Sequence, residues 1–69
     1  MMPHQGTVKM YDAEKGFGFI AADDGTRDVF FHSETLSGDH TNLKADQRVE
    51  YELSTEARNP QAESVRLLR

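Results

Sequence analysis

Apolar side chains fall at alternate positions in five short runs of this chain, and none of the runs carries the three-to-four-residue spacing of an amphipathic helix. The cleanest run spans Gln47 to Ser54. Val49, Tyr51 and Leu53 take one face and Glu50 and Glu52 the other, as in a half-buried strand. Gln5 to Asp12, Gly16 to Ala21, Asp28 to His32 and Glu63 to Leu68 read as four further strands. Asp23-Asp24-Gly25-Thr26 joins the second to the third, and an Asp-Gly pair flanked by apolar alternation predicts a tight hairpin. The polar stretch from Ser33 to Ala45 reads as a long loop with one helical turn. Short strands separated by turn-rich segments predict a small all-β barrel rather than a sandwich, which needs more strands.

Parity along the runs divides core from surface. Val8, Ile20, Val29, Phe31, Val49, Leu53, Val65 and Leu67 are expected to close the barrel, with Gly18 where the wall bends. Phe17 and Phe19 share one face of the second strand, and Phe30 and His32 share one face of the third. Phe31, of opposite parity, belongs to the core. Aromatic rings standing out from a sheet are costly to expose unless something stacks on them, and nucleobases stack at roughly 1–3 kcal/mol each without needing a particular sequence. Gly16 and Gly18 fit close approach by a ligand or another backbone. The competing reading of Phe17-Gly18-Phe19 is two core phenylalanines beside a bulge. Met10 is ambiguous in the same way: strict alternation puts it inside with Val8, whereas a bulge near the end of the strand would turn it outward.

Lys15-Gly16-Phe17-Gly18-Phe19-Ile20 and Val29-Phe30-Phe31-His32 resemble the two ribonucleoprotein motifs of the bacterial cold-shock domain, the cold-shock protein A family. Gly6-Thr7-Val8-Lys9, Asp23-Asp24-Gly25, Asp28 and Asn59-Pro60-Gln61-Ala62 extend the likeness along nearly the whole chain. The resemblance implies a five-stranded, partly open antiparallel barrel of the oligonucleotide-binding (OB) class, formed by residues 1–69 as a single domain with its core in about 5–68. It also implies that the second and third strands present a stacking surface to single-stranded nucleic acid.

Three stacking positions depart from the family pattern. Its Lys-Trp-Phe-Asn is Lys9-Met10-Tyr11-Asp12 here, so Met10 replaces a tryptophan. Ser33 stands where a phenylalanine usually follows the histidine. In the long loop the family carries an aromatic, and this chain has no aromatic ring there except His40. Weaker or shorter-footprint binding is expected, with Met10 still offering polarizable contact and His40 a smaller ring.

Composition narrows the function classes. A chain of 69 residues makes one small domain. With no cysteine it has no disulfide framework and no cysteine-based zinc site. No segment approaches membrane-spanning length or has the apolar run of a secretory signal, so a cytoplasmic protein without a membrane partner is expected. The net charge of −4 runs against the basic surface usual in nucleic-acid binders. Lys9, Lys15 and Arg58 would nonetheless border the platform, while Glu34, Asp39, Asp46, Glu50, Glu52, Glu56 and Glu63 lie in the second half. Three bordering cations imply a log–log salt slope near −2 on a single strand, at about −0.7 per phosphate.

The candidate nucleic-acid-binding residues are therefore Lys9, Met10, Tyr11, Lys15, Phe17, Phe19, Phe30, His32, Arg58 and Gln61, with Asp28, Ser33 and His40 as weaker candidates. Arg58 and Gln61 enter on the resemblance. Asp12 and Asp28 are also natural turn-capping or hydrogen-bonding residues. His4, His32 and His40 are scattered, no nucleophile sits in a recognisable motif, and no glycine loop leads into a helix, so neither catalysis, a cofactor nor a metal is expected. The expected partner is single-stranded RNA or DNA, preferably pyrimidine-rich, bound by a monomer acting as an RNA chaperone or regulator of gene expression in the cold-shock response. The alternative is a degenerate domain that works through protein contact or dimerisation, with strand exchange through the 33–45 loop as one route.

Overall fold

In the computed structural model, which describes residues 3–25, 27–38 and 43–68, one six-stranded sheet curls into a nearly closed barrel. The strands are β1 (His4–Asp12), β2 (Phe17–Ala22), β3 (Asp28–His32), β4 (Leu36–Ser37), β5 (Arg48–Leu53) and β6 (Ala62–Leu67). They lie in the order β3-β2-β1-β5-β6-β4. All neighbours are antiparallel except β4 and β6. The all-β architecture agrees with the sequence pattern, and β4 is an addition to the five expected strands. It is a two-residue parallel pairing of Leu36 with Val65 and Ser37 with Arg66, too short to show alternation. The helical turn of the same segment is a 3₁₀ turn at Ser33–Thr35. Among the described residues no helix is long and apolar enough to cross a membrane.

β1 serves both halves of the barrel. Its first part pairs with β5 through His4 to Thr7, and its length from Gly6 to Asp12 pairs with β2. A bulge between Val8 and Met10 marks the change of direction, and the 44–47 turn completes it. There Val8 donates its N–H to Gln47 O and its carbonyl accepts from the Asp46 N–H, at 2.9 and 2.8 Å. The bulge reverses the parity of β1. Met10 therefore points outward, as the bulged reading requires, while Tyr11 turns inward.

The interior is built in cross-strand rows. Val8, Ile20 and Val29 form one, Tyr11, Gly18 and Phe31 the next. Phe31 is fully buried and stacks on Tyr11 with ring centroids 5.7 Å apart. Gly18, between them in register, leaves the space both rings use: a Cβ there would lie 2.6 Å from Phe31 Cζ and 2.5 Å from Met10 O. Gly18→Ala should therefore destabilise the domain by roughly 2–3 kcal/mol through overpacking. A thermal melt should show Tm falling by on the order of 10–20 °C.

Val49, Tyr51, Ala62, Val65 and Leu43 complete the buried core. Leu53 and Leu67, expected in the core, are only partly buried against it. Ala62, at the start of β6, and Leu43, from the loop before β5, are buried in the core without having been expected there. Outside, Arg48 ties β5 to the β2–β3 hairpin by a bidentate pair with Asp23 at 2.6 Å, with further bonds to Thr7 Oγ1 and Gln5 Oε1. Hydrogen bonding to the Arg48 guanidinium holds the Asp23 carboxyl below its ordinary range. Gly25, at φ +73° in that hairpin, occupies the left-handed conformation for which an Asp-Gly turn selects.

Candidate nucleic-acid interface

Outside the barrel the same registers form complementary rows. Asp12, Phe17 and His32 align across β1, β2 and β3, and Met10, Phe19 and Phe30 align in the next outward row. A parallel bridge from Phe30 to Gln61 carries that second row across to the loop before β6. Phe17, Phe19, Phe30 and His32 thus meet on one face. Phe17 lies nearly parallel to Phe30 at 5.8 Å, Phe19 meets Phe30 edge-on at 5.5 Å, and His32 stands perpendicular to Phe30 at 4.8 Å. The phenylalanines are half-buried and His32 is exposed. This geometry excludes the reading of Phe17 and Phe19 as core residues. The rings brace one another from below while their outer faces remain open to a stacking partner.

Glycine acts here through its own chain. Gly16 precedes β2 and takes φ +79° in a turn closed by its N–H donating to Asp12 O at 2.7 Å, while its carbonyl accepts from Ser33 N–H at 2.9 Å. Asp12 Oδ1 accepts from the N–H groups of Glu14 and Lys15 at 3.1 and 3.0 Å, so this carboxylate caps the turn. The turn holds Lys15, exposed, two residues before Phe17. Ser33 is tucked against Gly16, with its Oγ 3.1 Å from where a Cβ on Gly16 would lie.

Lys9 is not a free cation. Its ammonium pairs with Asp28 Oδ2 at 3.0 Å, two exposed side chains meeting beside the platform. Asp28, Phe19, Phe30, Asn59, Pro60 and Gln61 line a cleft of about 330 Å³. Gln61 therefore joins the platform, and Asn59 and Pro60 join it as residues absent from the sequence-based set. Pro60 is held there because its carbonyl accepts the Phe30 N–H at 3.1 Å. Their signal in the sequence was the Asn59-Pro60-Gln61-Ala62 stretch itself. Arg58 lies exposed in the same loop. Tyr11 is not brought to the platform: it occupies the inner row on Phe31. His40 lies outside the described residues. Among the described residues no cluster of His, Asp or Glu has the makings of a metal site.

The comparisons agree with this architecture. Residues 4–68 match the family described as the 'Cold-shock' DNA-binding domain. The chain is 48% identical over 65 residues to a probable cold shock protein A of Mycolicibacterium smegmatis, covering 93% of this chain and 97% of that protein. It is 43% identical over 61 residues to the cold shock-like protein CspG of Escherichia coli, covering 87% of each. Among solved structures, drosophila Unr CSD456 superposes with a TM-score of 0.81 at 25% identity; the match covers 97% of this chain and 27% of that one.

Proposed function

The chain belongs to the cold-shock domain family, a family of nucleic-acid-binding proteins and not of enzymes, and from that premise we propose that it binds short single-stranded RNA or DNA by stacking bases on Phe17, Phe19, Phe30 and His32. The observation that carries this reading is the outward cluster of four rings in mutual contact on β2 and β3. Such a surface takes any base, favours flexible pyrimidine-rich strands, and keeps RNA from folding back on itself. The role that follows is that of a cytoplasmic RNA chaperone or regulator. The binding unit of this reading is a monomer.

Affinity should be modest. Met10 supplies a thioether where the family has an indole, and Ser33 supplies no ring. The charge contribution is smaller than the cation count suggests, because Asp28 neutralises Lys9. With Lys15 and Arg58 as the free cations bordering the platform, the log–log salt slope for a labelled oligothymidine should be about −1.4. Asp28→Asn, which frees Lys9, should steepen it toward about −2. Fluorescence anisotropy at several salt concentrations measures both slopes. An equal slope in the two proteins would show that Lys9 does not reach phosphate. No binding at all by the folded chain would favour a protein-contact role instead.

A further inference from the structure

Met10 is the exposed large apolar residue among those described, at 38%. It opens the outward row that continues through Phe19 and Phe30. On its other side β1 has already left β5, whose pairing ends at Thr7, so no strand of the described residues flanks it there. The chain contains no cysteine, and a thioether is then the softest nucleophile it offers to an oxidant.

Resting on the platform reading above, we propose that Met10 is an oxidation site whose sulfoxide weakens strand binding. A peroxide is the oxidant. The sulfur lone pair attacks one peroxide oxygen, the S–O bond forms as the O–O bond breaks, and sulfur loses two electrons. The departing oxygen takes a proton and leaves as water, or as an alcohol from an alkyl hydroperoxide. The product replaces a polarizable apolar contact by a polar, chiral group that holds water where a base would stack. Methionine sulfoxide reductases reverse the change, so the loss is recoverable.

The test treats the whole chain with hydrogen peroxide, locates the added oxygen by peptide mass spectrometry, and titrates labelled oligothymidine before and after. Wild type modified at Met10 should bind roughly three- to tenfold more weakly and recover after reductase treatment. Met10→Leu, whatever its own affinity, should bind equally before and after peroxide, although its sequence still contains Met1 and Met2. Full conversion of Met10 with unchanged affinity would overturn this inference alone. So would resistance of Met10 to peroxide under conditions that convert free methionine. Failure of the untreated chain to bind would overturn the platform reading, and this inference with it.

Discussion

Replacing Phe17 and Phe30 together by alanine should lower the affinity for oligothymidine at least about a hundredfold while the barrel stays folded. Each ring offers a stacking face contributing roughly 1–3 kcal/mol per base, and two losses near the middle of that range multiply to that figure or beyond. The pair is chosen because the rings lie nearly parallel at 5.8 Å and each supports the other. For the same reason the single substitutions should not add: removing either ring lets its neighbour tilt, so each alone forfeits part of the other's contribution. Both rings project from the outer face and neither belongs to the buried core, so far-UV circular dichroism and a cooperative melt should persist. Anisotropy titration of the wild type, the two single variants and the double variant decides the matter. Wild-type affinity in the double variant would remove stacking on these rings as the basis of binding.

Phe31→Ala should do the reverse, weakening the fold rather than the site. Phe31 sits directly between Phe30 and His32 in sequence, yet it is fully buried and stacked on Tyr11. Truncating a buried phenylalanine costs roughly 3–5 kcal/mol. A domain of this length has a total stability of only about 3–10 kcal/mol. The gap cannot collapse easily, because Gly18 brings no side chain to fill it and the Gly18 backbone is already hydrogen-bonded into β1 and β3. The variant should lose much of the domain's stability, with its Tm falling by on the order of 15–30 °C in a thermal melt. A Phe31→Ala variant with a Tm near wild type would mean that the inner row is not what holds the barrel together. Adjacent residues of one strand thus separate binding from stability.

The sequence exposed the platform because strand alternation is a local property: once β2 and β3 are strands, Phe17, Phe19, Phe30 and His32 must share a face. The bulge in β1 was legible only as a contradiction at Met10, and its second consequence, that Tyr11 turns inward, requires knowing where the extra residue falls. Leu43 and Ala62 were hidden for different reasons. Leu43 is a lone apolar residue in a polar loop, and Ala62 carries too little side chain to register in any apolar pattern. The Lys9–Asp28 pair joins residues nineteen apart across a bulge, and no periodicity announces a contact of that kind. Gly16 and Gly18 read as points of close approach by a ligand or another backbone, and at Gly18 it is another backbone, with Met10 O 2.5 Å from where a Cβ would lie. One supplies a left-handed turn and the other an absent side chain between two rings.

Among the described residues β3 and the start of β6 share no strand ladder, and the barrel closes there through the Phe30–Gln61 bridge and the bond from Phe30 N–H to Pro60 O. That seam carries fewer backbone pairings than the β1–β2, β2–β3 and β5–β6 ladders. Phe30 belongs both to this closure and to the ring cluster. A nucleic-acid strand bound as proposed over Phe30 and Gln61 would span this seam from both sides, and binding only the closed barrel it would raise the apparent stability of the domain by mass action.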